Sequence, residues 1–171
     1  MPILLSTSAD ITQLLPLINS AFRGDTARQG WTHEADLLQG ERRTDEATLR
    51  ALMQIANAIV LKYCNDAGDI EGCVFLSKKE RGLYLGMLTV APELQGAGIG
   101  KKLLAAAEAY AREQGCTFIY MNVFSVRQEL IAWYERHGYR RTGEMKPYEA
   151  NPEFGVPVQP LEFVILEKEL A

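Results

Sequence analysis

The feature that most constrains this fold is a glycine-rich junction between an apolar strand and an amphipathic helix. The strand ends at Val90-Ala91-Pro92, the turn contains Gly96, Gly98 and Gly100, and apolar residues recur at helical spacing from Ile99 onward. A turn of this kind points the unpaired N–H groups of the first helical turn at one spot, where the helix dipole also favours an anion. Glycine lets the anion approach the backbone without an intervening side chain. The junction therefore predicts a phosphate cradle.

Two common phosphate-binding motifs are excluded by position. A P-loop would have glycine five residues before Gly100 and serine or threonine after Lys101, but the chain has Gln95 and Lys102 there. A dinucleotide fingerprint would need glycine at position 101. The alternative is a tight turn whose glycines serve only packing, although such a turn would require neither Gln95 nor Lys101.

Hydrophobic periodicity predicts one α/β (α+β) domain over residues 1–171, with helices around a single mixed sheet. Three consecutive strands between 58 and 90 form an antiparallel meander, and one parallel step crosses over the glycine-rich helix. Turn-forming residues fill 23–39, and the four prolines of 147–160 predict a loop. The predicted strands cover 3–5, 58–63, 70–77, 83–90, 118–123, 139–144 and 161–169. The first predicted helix is capped by Ser8 or Asp10 and ends at Phe22, and the others begin at Thr44 or Asp45, at Ile99 and at Gln128.

Composition limits the classes of partner. Apolar residues make up 47% of the chain and charged residues 23%, as in an ordinary soluble globular protein. The net charge of −4 and the lack of a basic stripe disfavour nucleic-acid binding, which rests on neutralising phosphates. The same charge slightly favours a neutral or cationic small partner.

The cysteines and the termini indicate neither a metal nor a membrane. Cys64, Cys73 and Cys116 match no zinc spacing, so we expect buried reduced thiols and no metal. The N-terminal residues have no basic region, and no segment approaches the ~18 apolar residues of a membrane span. We therefore expect no membrane partner and a cytoplasmic location.

Two motifs together resemble one known family, the GCN5-related N-acetyltransferases (GNAT). Gln95, Gly98 and Gly100, after a strand and a proline, are similar to the family's cofactor signature, and the stretch 133–139 is similar to its second motif. The resemblance extends over residues 60–143. It implies a GNAT-type, mostly antiparallel central sheet flanked by helices. It also implies acetyl-coenzyme A (acetyl-CoA) as co-substrate and no metal. The implied reaction is direct acetyl transfer, in a ternary complex, to a primary amine of a small molecule or peptide.

The resemblance also implies which residues hold the cofactor. In this family the pantetheine arm lies in a gap between the strand before the cradle and the next strand, so the backbone of Leu88, Thr89 and Val90 would pair with it and an N–H near Leu88 would face the thioester oxygen. Asn122 would hydrogen-bond the arm. Arg127, where relatives carry asparagine, would reach a phosphate or lie solvated at a helix start. The cradle itself comprises Gln95, Gly96, Ala97, Gly98, Ile99, Gly100 and Lys101.

Tyr134 occupies the position of the family's general acid. A phenol has a pKa of about 10 and a thiol about 8.5, so the role requires a strong hydrogen bond or a perturbed pocket rather than simple proton transfer in water. A half-buried tyrosine that only packs on the sheet is the alternative. No general base is assigned, because Tyr84 and Leu85 stand where histone-type relatives have glutamate. The other candidates are Glu71, Glu80, His33 and His137, the last expected at the outer end of its helix.

Acceptor specificity in this family resides in an early and a late segment, which here are 23–43 and 145–160. Trp31, Glu34 and Tyr148, together with Tyr84, are the predicted acceptor contacts, because aromatic rings with carboxylates suit a cationic amine. The aromatic residues could instead close a small core or a homodimer surface. A non-catalytic coenzyme A-binding sensor or interaction module with the same fold is the competing hypothesis, and the sequence names no acceptor.

Overall fold

The computed structural model describes residues 3–170 and contains a seven-stranded sheet together with a separate two-stranded ladder. The large sheet consists of β1 (Ile3–Leu5), β3 (Ala58–Cys64), β4 (Ile70–Lys79), β5 (Gly82–Val90), β6 (Phe118–Phe124), β7 (Arg140–Pro147) and β9 (Glu162–Glu169), and the ladder of β2 (Leu38–Gln39) and β8 (Val156–Pro157). The helices are α1 (Ile11–Phe22), α2 (Gly24–Ala27), α3 (Glu46–Met53), α4 (Ile99–Glu113) and α5 (Gln128–Arg136), with single 3-10 turns at Ser8–Asp10, Pro92–Leu94 and Pro152–Phe154.

The strand order confirms the predicted mixed, mostly antiparallel sheet. The order is β1-β3-β4-β5-β6-β9-β7, and only β5 and β6 run parallel. The β3-β4-β5 meander is antiparallel, and α4 makes the crossover from β5 to β6. A parallel neighbour needs such a crossover, whereas antiparallel neighbours need only a turn.

Alternate side chains of β4 separate two hydrophobic cores, one on each face of the sheet. Val74 packs in the cluster that contains Leu103 of α4, whereas Cys73 and Phe75 pack in the cluster that contains Leu14 of α1. The sheet therefore lies between α4 and α5 on one face and α1 and α3 on the other.

Two helix starts illustrate how local residues set the boundaries. The carboxylate of Asp45 accepts a hydrogen bond from the backbone N–H of Thr48, which caps α3 as predicted. The first helix begins at Ile11, directly after Asp10, which is one of its two predicted caps, and Thr7 and Asp10 form a reciprocal capping box around the preceding 3-10 turn.

The two irregular segments contain more structure than the sequence indicates. β2 of the early segment pairs with β8 of the late one, at Leu38 with Pro157 and Gln39 with Val156. β7 continues to Pro147, three residues beyond its expected end, because it remains paired with β9. Pairing between distant segments supplies hydrogen bonds that no local sequence pattern reports.

All three cysteines are free thiols, but they differ in burial. Cys73 and Cys116 are buried as expected, whereas Cys64, next to an irregularity in the β3–β4 register, is only partly covered. Among residues 3–170 no group of three potential metal ligands comes together, and no helix is long and apolar enough to cross a membrane.

Replacing Leu103 with alanine should cost about 2–5 kcal/mol of unfolding free energy, since its side chain is fully buried between α4 and the sheet. Urea denaturation measures the loss. Glu113→Ala, at an exposed position of the same helix, should change stability by no more than about 0.5 kcal/mol. Equal effects of the two substitutions would contradict the described core.

Candidate active site

The site originates where β5 and β6 stop pairing. Their parallel ladder covers only Gly82–Tyr84 and Phe118–Tyr120, although both strands continue, while β6 remains paired with β9 along its whole length. Within the described chain, residues 85–90 and 121–124 thus form no ladder with each other. Apart from Thr89, these residues line a cleft of about 790 Å³.

A β-bulge shapes the β5 wall of this cleft. Met87 and Leu88 together face Val74 of β4, and Met87 has a left-handed φ of 50°. The Thr89 hydroxyl donates a 2.8 Å hydrogen bond to the Met87 carbonyl and supports this conformation. The bulge takes the backbone around Leu88 out of the regular β4 ladder, at the point where the sequence predicted a donor for the thioester oxygen.

The glycine turn at the mouth of the cleft has the geometry of an anion cradle. Gly96 and Gly98 have φ values of 95° and 87°, which residues other than glycine rarely adopt. A Cβ atom at either position would meet no other atom within 4 Å. Backbone conformation rather than space therefore requires these glycines. The N–H of Lys102 bonds the Gly98 carbonyl at 3.1 Å, so the N–H groups of residues 99–101 precede the helical ladder.

The Gln95 side chain binds the protein rather than the open cradle. Its Oε1 accepts from the N–H groups of Trp31 and Thr32 at 2.7 and 3.1 Å, and its Nε2 donates to Thr32 Oγ1 at 2.7 Å and to the Val90 carbonyl at 3.1 Å. Gly30 allows this approach, because a Cβ there would lie 2.3 Å from Oε1. Gln95 thus ties the cradle to the early segment.

Tyr134 lies on α5 and points into the cleft, with 4% of its surface exposed. Its ring packs edge-on against Trp133 and Tyr139 at 5.1 and 5.7 Å. Burial raises the pKa of the Tyr134 phenol well above its ordinary value, although the charge of Arg127 acts in the opposite direction. At neutral pH the side chain is therefore a protonated hydrogen-bond donor.

Asn122, on the β6 side of the cleft, presents a hydrogen-bond acceptor that has no partner among the described residues. Its Oδ1 is buried, and the described residues offer it no hydrogen-bond partner. Such an atom carries a desolvation penalty until a donor reaches it. Since Asn122 lines the cleft, an N–H of a bound molecule can supply that donor.

The carboxylate of Glu34 is already paired with arginines. Arg23 approaches it at 3.1 Å, Arg127 at 3.8 Å and Arg43 at 4.0 Å. The Arg127 guanidinium also donates to the carbonyl of Thr32. Burial lowers the pKa of Arg127, which the charge of Glu34 opposes. Arg127 is thus not the solvated arginine considered above, and Glu34 has no free charge for a cationic acceptor.

Most of the predicted site residues meet around one cleft. Thr89 and Ala97 are the exceptions, since neither lines it; Thr89 is buried in the β4 ladder. The residues that line it are Trp31, Glu34, Tyr84, Leu88, Val90, Gln95, Gly96, Gly98, Ile99, Gly100, Lys101, Asn122, Arg127, Tyr134 and Tyr148.

The candidate bases largely fall outside the cleft. Glu71 accepts a hydrogen bond from Asn65 instead, and Glu80 and His33 do not line the cleft either. His137 does line it, contrary to its expected outer position, and its Nδ1 lies 2.7 Å from the carbonyl of Trp133. Among the described residues, the carboxylates that do line the cleft are Glu34, Glu129 and Glu149, and none of them is a predicted base.

Several residues that line the cleft were not predicted from the sequence. Trp133 lies in the motif next to Tyr134, yet its contact with Trp31, at 6.4 Å between ring centres, depends on how two distant segments fold. Arg23 and Arg43 also line the cleft, and no local spacing marks them out.

Comparison with known proteins gives a consistent family. The model of the acetyltransferase (GNAT) family matches residues 23–139. Acetyltransferase Atu2258 of Agrobacterium fabrum is 32% identical over 48% of this chain and 59% of its own length. Blasticidin-S acetyltransferase of Streptomyces morookaense is 30% identical over 50% of this chain and 62% of its own length. The chain thus spans about three fifths of the length of these curated relatives.

A solved structure supports the fold. yncA of Salmonella typhimurium, solved with its cofactor acetyl-CoA, has a TM-score of 0.70 and covers 99% of this chain and 93% of its own. At 19% identity this likeness concerns the fold alone.

Gly30→Ala should displace the Gln95 side chain from Trp31 and Thr32, because the new Cβ would overlap its amide. We expect a loss of about 1–3 kcal/mol of unfolding free energy and a change in tryptophan emission. Gln95→Ala should have a similar effect, and adding Gly30→Ala to it should cost little more. Gln29→Ala, at an exposed neighbour, is the control; fully additive losses would contradict the tether.

Proposed function

The chain belongs to the acetyltransferase (GNAT) family, and we propose on that premise that it transfers the acetyl group of acetyl-CoA directly to a primary amine. The observation that carries this proposal is the unpaired gap between β5 and β6, which leads into the glycine cradle. A thin arm with amide groups fits such a gap, and a pyrophosphate fits the cradle at its mouth. One continuous cleft thus matches both halves of a coenzyme A molecule.

Backbone groups would do most of the cofactor binding. The N–H groups of residues 99–101 and the bare backbone of Gly96 and Gly98 suit the pyrophosphate, with Lys101 as an added cation. The edge of β5 from Leu88 to Val90 would pair with the arm as an additional strand. Asn122 would then accept a hydrogen bond from an amide of that arm, which satisfies its buried Oδ1.

The reaction joins the acceptor nitrogen to the acetyl carbon and breaks the carbon–sulfur bond. Negative charge develops on the acetyl oxygen, and a backbone N–H near Leu88 on the bulge would stabilise it. The amine loses one proton overall, and the thiolate gains one. Tyr134 would stabilise the leaving sulfur by donating a hydrogen bond from its phenol.

The environment of Tyr134 favours donation over full proton transfer. Its pKa is raised by burial, so the phenol holds its proton more tightly than a thiol does. The proton that the thiolate finally takes can come from the acceptor ammonium through water. Because neither Glu71 nor Glu80, the carboxylates predicted as bases, lines the cleft, the reaction should depend on the neutral fraction of the amine.

Gly100→Glu should abolish acetyl-CoA binding, because it places a carboxylate in the cradle against the pyrophosphate. Gly100→Ala is the matched control: its Cβ would lie 3.6 Å from Val90 and 3.8 Å from Trp133, so it fits and should bind normally. Calorimetric titration measures both variants. A parent protein that fails to bind acetyl-CoA would remove the basis of the proposed function, and binding without turnover of any amine would favour a non-catalytic module.

Tyr134→Phe should lower kcat by about a hundredfold while acetyl-CoA binding persists. Since the folded pKa lies above that of free tyrosine, the phenol stays protonated between pH 7 and 10, and the parent rate should show no alkaline decline from its ionisation there. Tyr139→Phe is the control, because its hydroxyl bonds Glu108 and it does not line the cleft. Full turnover by Tyr134→Phe would refute the acid role.

A further inference from the structure

One wall of the cleft carries a cluster of charges that the proposed reaction does not use. Arg23, Arg43 and Arg127 surround the single carboxylate of Glu34, and all four side chains line the cleft. We refer to these four residues as the arginine cluster. Arg23, Glu34 and Arg43 come from the early segment and Arg127 from the start of α5, so the fold has brought them together.

The arginine cluster has an excess of positive charge. Three guanidinium groups share one carboxylate, and the side chains of Arg23, Glu34 and Arg127 are at most 10% exposed. The other cleft carboxylates, Glu129 and Glu149, are exposed and form no ion pair with the cluster in the described chain, although the charge of Glu129 acts on Arg127 from a longer distance. Uncompensated charge in a partly dry site is costly, and an anion in the cleft would offset it.

The three arginines differ in how much of their hydrogen-bonding capacity is occupied. Arg23 donates to Glu34 and to the carbonyls of Arg42 and Phe154, so its role is structural. Arg127 already donates to the carbonyl of Thr32.

Arg43 is the arginine with a free guanidinium. Its only ion pair among the described residues is the 4.0 Å contact with Glu34, and its side chain is 34% exposed. The guanidinium lies 5.7 Å from the ring centre of Phe22, which holds the planar fork in place. Arg43 and Tyr84 both line the cleft, and the charge of Arg43 opposes the rise that burial causes in the pKa of Tyr84.

The coenzyme does not account for this charge. In the proposed function the pyrophosphate is held by the glycine cradle and Lys101, and the arm between the pyrophosphate and the thioester, which is the part of the coenzyme that enters the cleft, is uncharged. The remaining occupant of the cleft is the acceptor. The net charge of the whole chain slightly favoured a neutral or cationic acceptor. Net charge sums over the entire surface, however, whereas a bound ligand responds to the electrostatic potential inside the cleft.

We propose that the acetyl acceptor is a small amine that carries an oxyanion, and that Arg43 binds this oxyanion through its guanidinium fork. The proposal rests on the proposed acetyl transfer and adds its substrate class. Carboxylate and phosphoryl oxygens both match the fork geometry, so the shared chemistry is an amine with such a group a few bonds from its nitrogen. Glu34 acts as a positioning residue, because it holds all three guanidiniums.

The test uses pairs of amines that differ only in charge. Amino acids with the carboxylate at several distances from the amine are compared with their neutral amides, and aminoalkylphosphonates provide the second oxyanion. Initial rates at saturating acetyl-CoA, expressed per concentration of neutral amine, give kcat/KM. Quenching of Trp31 and Trp133 fluorescence in the coenzyme A-loaded protein gives binding independently of turnover.

The parent should prefer at least one oxyanion-bearing amine over its neutral partner by about tenfold to a hundredfold, mainly through KM. Arg43→Gln should reduce that preference to within about threefold, and Arg43→Lys should retain part of it, since it keeps the charge and loses the fork. Arg42→Gln, at an exposed position outside the cleft, should leave the preference unchanged. Circular dichroism verifies that each variant is folded.

The outcomes separate the two proposals. Equal or better binding of the neutral amides by the parent overturns the oxyanion proposal, even if acetyl transfer occurs and the proposed function stands. A preference that survives in Arg43→Gln overturns the role of Arg43. Failure of the parent to bind acetyl-CoA overturns the proposed function itself. The comparison of amino acids with aminoalkylphosphonates decides which oxyanion is bound.

Discussion

The incomplete pairing of β5 and β6 is the constraint on which the rest of the site depends. After three residue pairs the strands separate, yet each is held on its other edge, β5 by β4 and β6 by β9. The gap therefore cannot close by sliding either strand without breaking a ladder. Backbone groups that would be costly to leave unpaired in a sheet interior are therefore accessible from the cleft.

A chain of side-chain contacts connects the cradle with the early segment. Gln95 holds Trp31 and Thr32 by their backbone groups, and the carbonyl of Thr32 accepts from Arg127. Arg127 in turn contacts Glu34, around which the arginine cluster assembles. The glycine turn and the arginine cluster are thus connected by a continuous series of hydrogen bonds and ion pairs.

The sequence predicted the sheet well because local periodicity reports on burial. Alternation in β4 and the helical spacing of α4 both follow from which side chains face a core, and the structure has the predicted meander and crossover. The predictions were less accurate where partners are distant in sequence. β7 extends to Pro147 because β9 pairs with it, and β2 exists only because β8 returns to it.

By itself, the sequence determined the family and the mixed sheet, and it predicted the cradle residues and Tyr134, because these depend on patterns whose spacing is read along the chain. Only the tertiary structure decided where the polar side chains of the site point. Gln95, expected to serve the cradle, binds the early segment, and Glu34, expected to attract a cation, is surrounded by arginines. The charge of a site depends on contacts between segments far apart in sequence, and composition averages over such contacts.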